Sequence, residues 1–345
     1  MKVGLVGFAG CGKSTVFRWL TGVVPDPARV QQGQTGMAKI PDERLDKMSS
    51  LFKPKKTTFA EIAFLDTPGL DLDERRDNPR RLGILREANG LLVILNGFAG
   101  GDPAVELGKF REELAFADLE IVSNRLSKVE VNLKKPKPAK EREADLVEQS
   151  VLQRVVACLE DGKSPRTLGL KPEEEKLIRS FQLLTLKPEL AFLNQGDATL
   201  GKPLPPTLLA LSPGCLAAPA SLEMELTELS EEDRIAFAAD LGITGSQRDA
   251  TLKGIFREMG RIVFMTVGDD ECRTWPIDRG IPAVEAAGAI HTDLSNRFVR
   301  AEVVGYEEFV RVGSMKEAKA QGVYRLEGKT YIVQDGDIMH ILASS

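Results

Sequence analysis

The segment Gly7-Phe8-Ala9-Gly10-Cys11-Gly12-Lys13-Ser14 fits the spacing G-x-x-x-x-G-K-[ST]. It constrains the chain more than any other stretch. Lys2 to Val6, just before it, is a short apolar run of β-type residues, and Thr15-Val16-Phe17-Arg18-Trp19-Leu20, just after it, reads as the start of a helix. A strand, a glycine loop and a helix N-terminus together form a cradle for a phosphate chain. The glycines let backbone N–H groups wrap the phosphates, and the helix end adds positive potential. Gly7, Gly10, Cys11, Gly12, Lys13, Ser14 and Thr15 are therefore expected at a nucleotide. Lys13 would reach the β- and γ-phosphates as the catalytic cation, and the Ser14 hydroxyl would bind Mg²⁺.

A second strand pattern runs from Phe59 to Leu65 and ends in Asp66-Thr67-Pro68-Gly69. A buried strand would deliver Asp66 to the same Mg²⁺, usually through water. The Gly69 N–H would meet the γ-phosphate and sense its loss, so Gly69 is the second catalytic candidate. This order of motifs predicts a GTPase-like switch. Leu70 stands where Ras-type enzymes carry a water-orienting glutamine, and a leucine cannot orient water. The base-reading loop is expected after the strand Leu190-Ala191-Phe192-Leu193, at Asn194-Gln195-Gly196-Asp197. It keeps the Asn and Asp of N-K-x-D, with Gln195 in place of the Lys. A strand over Thr207 to Leu211 is expected to lead to the last base-side loop, which holds Ala220 and Ser221.

The 345 residues suffice for two or three domains. A net charge of −5 excludes a wholly basic coat but not a local patch. Four scattered cysteines and two histidines suggest neither a zinc site nor a disulfide framework. No apolar run approaches membrane-spanning length. A soluble cytoplasmic protein is expected, with no membrane association and no DNA specificity.

Leu119, Val122, Leu126, Val129 and Leu133 recur at spacings of 3, 4, 3 and 4. That is a coiled-coil seam. Lys134-Lys135-Pro136-Lys137-Pro138 breaks the helix, and a second stripe follows through Leu152, Val155, Val156 and Leu159. The prediction is an antiparallel helical hairpin. Its end is basic: from Arg125 to Arg142 seven Lys/Arg face two Asp/Glu, a local net of +5. Contact with RNA phosphates would suit such a tip, although a solvated helix end has the same composition. Beyond Arg261, strand patterns at Ile262–Val267, Phe298–Val304 and Ile338–Leu342 surround a short helix at Ala283–Ala289. A hairpin is expected with arms Tyr324–Leu326 and Thr330–Val333. His291 is expected to be structural, since no nucleophile or metal partner accompanies it.

Taken together, the chain resembles the Obg-like ATPase family of the YchF type. Further strings carry the likeness: Pro41-Asp42-Glu43-Arg44-Leu45-Asp46, Glu113-Leu114, Ala117-Asp118-Leu119-Glu120, Leu184-Thr185-Leu186-Lys187-Pro188, Ile290-His291-Thr292-Asp293 and Tyr331-Ile332-Val333-Gln334-Asp335-Gly336-Asp337. The resemblance implies an α/β P-loop NTPase with a Ras-like G domain at 1–110 and 181–260. It implies an inserted α-helical coiled-coil arm at 111–180 and a β-grasp TGS domain at 261–345. It also implies ATP or GTP as the bound nucleotide, Mg²⁺, and ribosomal partners reached through the arm and the TGS domain.

Departures from the family pattern cluster where catalysis is tuned. Gly10-Cys11 replaces Asn-Val, removing a side chain that helps hold a monovalent cation in related enzymes. The switch I threonine aligns with Val30, and Thr35 is the nearby candidate metal ligand. A long glycine-rich switch II with a histidine is shortened to Asp71–Asn78. Asp197 replaces the usual Glu, which moves the base loop toward guanine. The expectation is a monomeric nucleotide-dependent switch with slow hydrolysis. The alternative is a nucleotide-gated ribosome- or RNA-binding scaffold that hydrolyses little.

Overall fold

The computed structural model describes residues 1–73, 75–196, 199–230, 232–233 and 247–344. Seven strands precede residue 220: β1 (Lys2–Val6), β2 (Gln34–Lys39), β3 (Lys56–Thr58), β4 (Glu61–Asp66), β5 (Gly90–Gly97), β6 (Glu189–Gln195) and β7 (Leu216–Ala218). Six of them form one sheet in the order β2-β4-β1-β5-β6-β7, and the pairs β4–β1, β1–β5, β5–β6 and β6–β7 are all parallel. Parallel strands are buried on both faces, which explains the unbroken apolar runs Leu91–Leu95 and Leu190–Leu193. One core cluster joins Val6, Val93, Leu95 and Leu193 to Leu82 and Phe110. Helix α1 (Lys13–Thr21) buries Val16, Phe17 and Leu20, and its Trp19 ring lies 6.0 Å from that of Phe192.

The expected strand at Thr207–Leu211 is instead a helix, Pro206–Leu211. Proline at the first helical position carries the φ angle that a helix needs, so Pro206 opens a turn that buries Leu208. The strand that enters the last base-side loop is β7.

The chain divides into two compact units, Met1–Gly36 with Ala63–Arg248 and Met37–Ile62 with Asp249–Ser345. Residues 37–62, expected in the G domain, thus lie in the second unit. The reason is packing. Helix α2 (Glu43–Phe52) buries Leu45 and Met48 in a cluster with Met265, Cys272 and Phe309. The three-residue β3 takes its hydrogen-bonding partner from the same unit, with Thr57 opposite Cys272.

Within the first unit, helix α3 (Pro103–Leu133) runs 31 residues, or roughly 46 Å at helical rise. Its N-cap Asp102 accepts from the Ala104 N–H at 2.8 Å, and Pro103 holds the first helical position. The residue numbered 111 therefore falls inside a continuous helix. After the proline break, α4 (Ala139–Glu160) returns, and Val122, Val129, Val151, Leu152 and Val155 form the buried seam with Leu119, Leu126 and Leu133 beside them. The root of α3 is tied by charge. Asp118 is fully buried, accepting from Arg86 Nη1 at 2.8 Å and from the Thr185 N–H and hydroxyl, each at 2.8 Å.

The second unit contains helix α5 (Gln247–Glu258), helix α6 (Ala283–Ile290), and strands β8 (Arg261–Thr266), β9 (Glu271–Asp278), β10 (Phe298–Gly305), β11 (Arg325–Glu327) and β12 (Asp337–Ala343). The sheet order is β11-β10-β12-β8-β9-β3, and Ala283, Ala286 and Ala287 of α6 share its core. A mixed sheet with α6 packed on one face is the β-grasp arrangement, and here the other face is covered by Leu45 and Met48 of α2 with Phe309 and Ala318. β11 pairs with β10, and Thr330–Val333 makes only a bridge from Ile332 to Pro282, so the expected hairpin is absent. Tyr331 and Val333 are drawn into the core instead, and the Tyr331 carbonyl accepts from the Ala283 N–H at 2.7 Å. His291 Nδ1 accepts from the Asp293 N–H at 3.2 Å and so caps a short helix.

Candidate nucleotide-binding site

The C-terminal ends of β1, β4, β6 and β7 lie on one edge of the parallel sheet, where ligands of open α/β folds bind. Gly7 to Thr15 turns from β1 into α1 there, with Gly10 exposed in the loop. Gly12 caps α1 at φ 83°, and a Cβ on it would sit 2.1 Å from Asn194 Nδ2. Only glycine fits that position. The Cys11 thiol is buried and pushed up to about 11 by that burial, with Lys13 pulling the other way. It therefore stays neutral beside the phosphate cradle.

Lys13 Nζ lies 3.7 Å from Asp66 Oδ1, with little of either side chain exposed. Ser14 Oγ donates to Asp66 Oδ2 at 3.2 Å. Burial raises Asp66 above the usual carboxylate range, partly offset by Lys13 and by the Ser14 hydrogen bond. Asp66 Oδ1 is buried and, among the described residues, accepts no hydrogen bond, with the Lys13 ammonium 3.7 Å away. A buried carboxylate oxygen left in this state calls for a cation or an ordered water. The pair Ser14 and Asp66 therefore fits Mg²⁺. Thr35 is exposed on β2, and the hydrogen bonds around Ser14 and Asp66 do not include it.

Switch II is stitched to the glycine loop. The Leu70 N–H donates to the Gly7 carbonyl at 2.9 Å, and the Ala9 N–H donates to the Leu70 carbonyl at 2.8 Å. A Cβ on Gly69 would lie 2.9 Å from Ala9 Cα, so the close approach requires glycine. Leu70 is buried beside Phe8 and Leu82, which gives this hydrophobic residue a packing role. Arg81 Nη1 donates to the Gly69 carbonyl at 2.6 Å. Asn78 braces the shortened segment, accepting from the Asp71 N–H at 3.0 Å and donating to the Asp71 carbonyl at 2.8 Å. Its amide also donates to Glu113 Oε2 on α3 at 2.9 Å. Sequence reasoning missed Arg81, Asn78 and Glu113 as site residues, and Asn78-Pro79 at a helix start was the one local cue.

At the base end, Asn194 Nδ2 donates to the Cys11 carbonyl at 3.2 Å, so this residue fastens the two loops together. Its Oδ1 is buried and accepts no hydrogen bond among the described residues. Gln195 Nε2 donates to the Thr199 carbonyl at 3.0 Å, which folds its own loop. Asp197 lies outside the described residues. Ala220 is fully buried at the start of helix Ala220–Glu228, and Ser221 Oγ donates to Glu225 Oε1 at 3.4 Å. Phe98 was also missed. The residue is 46% exposed, and Cβ atoms on Gly12 and Gly196 would lie 3.5 Å and 2.5 Å from its Cε1 and Cβ.

A glycine loop closed over a buried aspartate, with a second strand end fastened across it, defines a P-loop nucleoside triphosphatase of the GTPase class. Comparison with known proteins narrows this. Residues 2–132 match a family model described as a 50S ribosome-binding GTPase, and 262–344 match the YchF-GTPase_C model, described as a protein of unknown function. The chain is 30% identical to the Ribosome-binding ATPase YchF of Bacillus subtilis over 99% of its length and 98% of the relative's. It is 32% identical to Obg-like ATPase 1 of Oryza sativa, covering 98% of this chain and 91% of that one. The solved structure of the Schizosaccharomyces pombe YchF GTPase superposes with a TM-score of 0.81 at 26% identity, covering 99% of this chain and 97% of that chain. The chain belongs to the YchF/Obg-like ATPase family.

Proposed function

We propose that the protein is a nucleotide-dependent switch that binds ATP or GTP with Mg²⁺ and slowly hydrolyses the β–γ phosphoanhydride. The convergence of Lys13 and Ser14 on a buried Asp66, whose Oδ1 accepts no hydrogen bond among the described residues, carries this reading. Lys13 neutralises charge on the β- and γ-phosphates, while the Gly69 N–H is available to the γ-phosphate. Ser14 and Asp66 are the residues that would hold Mg²⁺, which supplies further charge neutralisation when bound. Phe98, half-exposed beside Gly12 and Gly196, offers a stacking surface for the base.

Slow turnover follows from what surrounds the γ-phosphate position. Phosphoryl transfer depends on a placed water as well as on neutralisation. Leu70 is committed to the core, Gly10 has no side chain, and Thr35 is exposed on its strand. The same facts favour the second reading, a nucleotide-gated scaffold with little hydrolysis.

Relatives named as ribosome-binding ATPases support a ribosomal partner; that it is met in the cytoplasm through the arm and the TGS domain is part of the same proposal. At the arm tip, Lys128, Lys134, Lys140 and Arg142 are exposed and form no ion pair among the described residues. Such charges suit RNA phosphates. No described helix is long and apolar enough to cross a membrane. Calorimetric titration with non-hydrolysable ATP and GTP analogues, with and without Mg²⁺, tests the nucleotide reading. Binding that strengthens with Mg²⁺ is expected. A chain that binds neither analogue refutes both readings.

A further inference from the structure

The second unit holds a cavity of about 350 Å³, within the size range of small-molecule sites. Its floor is apolar: Phe256, Ile262 and Val263 are each less than a tenth exposed. One wall is rigid. Arg44 donates to both carboxylate oxygens of Asp42, at 3.0 and 2.8 Å, and to Asp335 Oδ2 at 2.9 Å. Asp335 Oδ1 in turn accepts from the Val263 N–H at 3.0 Å. Two of the three carboxylates lining the cavity are therefore consumed by one guanidinium.

The remaining rim is cationic: Lys253 and Arg257 come from α5, Arg261 from the start of β8, and Arg279 from just beyond β9. Their counter-charges are weak. Lys253 meets Glu43, whose side chain is 90% exposed, and among the described residues Arg257 meets only its neighbour Glu258. Arg261 meets Asp278, which is also largely exposed. Exposed pairs of this kind contribute little and exchange readily. Arg279 has no ion pair or side-chain hydrogen bond among the described residues.

We propose that this cavity is a second ligand site, separate from the nucleotide cleft, that takes a small phosphorylated molecule of mononucleotide size. The phosphate sits against Arg257 and Arg279, whose planar forks match phosphate oxygens. The base or sugar lies over Phe256 and Ile262. A bare phosphate would leave the apolar floor unused.

The test counts ADP bound per full-length chain by equilibrium dialysis up to millimolar ADP. Wild type is expected to bind two equivalents, one tightly and one weakly. Lys13→Ala should lose the tight site and keep the weak one. The double change Arg257→Glu with Arg279→Glu should weaken the second site by about tenfold or more and spare the first. Arg279→Ala removes a side chain with no partner to lose, so it keeps the test open if charge reversal disturbs folding. A single equivalent in wild type overturns the proposal, as does a second equivalent indifferent to all three arginine changes. The proposal also falls if these changes abolish binding of a short RNA oligomer but not of ADP. Failure of Lys13→Ala to remove the tight site counts against the nucleotide cleft alone.

Discussion

The glycine loop and the tip of the helical arm both present cations suited to phosphates, yet they are built oppositely. In the loop a single lysine, Lys13, is 8% exposed and held against a fully buried aspartate. The backbone around it is set by glycines and clamped by Asn194 and Leu70. At the tip, several cations project from a solvated helix end with no frame around them. Enclosure lets one charge recognise a defined phosphate geometry, because the donors are fixed and water is excluded. Exposure leaves counterion release as the source of affinity, and that source is non-specific and sensitive to salt.

Four substitutions probe this difference, from the largest expected effect to the smallest. Lys13→Ala should weaken nucleotide binding by about a hundredfold in calorimetry. A loss below tenfold would mean that the frame, not the cation, dominates. Gly12→Ala should cost about 1–3 kcal/mol of stability in thermal or denaturant melts and weaken nucleotide binding with it, since a side chain there meets Asn194 at positive φ. An unchanged melt would show that the loop is not rigid. Changing Lys134, Lys135, Lys137 and Lys140 to Glu should weaken ribosome cosedimentation and flatten its log–log salt slope by up to about three, since Lys137 is already met by Asp145, with nucleotide affinity unaltered. Unchanged cosedimentation would sink the RNA role of the tip. Arg125→Ala should change stability by less than about 0.5 kcal/mol and leave the salt slope alone. Its charge is already met by Glu148, at 2.6 and 2.9 Å. A clear loss of cosedimentation would mean that paired cations also reach RNA.

Legibility in the sequence followed locality. The phosphate loop, Asp66 at a strand end and the hairpin seam could each be read because their signals lie within a few turns or strands. Arg81 and Glu113 could not, since their partners Gly69 and Asn78 are 12 and 35 residues away. Phe98 reads as a loop aromatic until β5 and β6 set it beside Gly196. The segment Thr207–Leu211 was misread because a short apolar run suits helix and strand alike. Thr330–Val333 reads as a hairpin arm, but Tyr331 and Val333 pack into the core in place of a ladder.

By itself the sequence determined the class of chemistry: a glycine loop with Lys13 and Ser14, an aspartate to meet them, and a two-helix arm. Those features depend on backbone geometry and side-chain period over short spans. Tertiary structure decided the rest. It placed residues 37–62 with the C-terminal unit, made Leu70 a core residue, and paired Arg125 with Glu148 and Lys137 with Asp145, lowering the free charge of the arm. Burial and ion pairing depend on which distant groups arrive beside one another, and no local pattern encodes that.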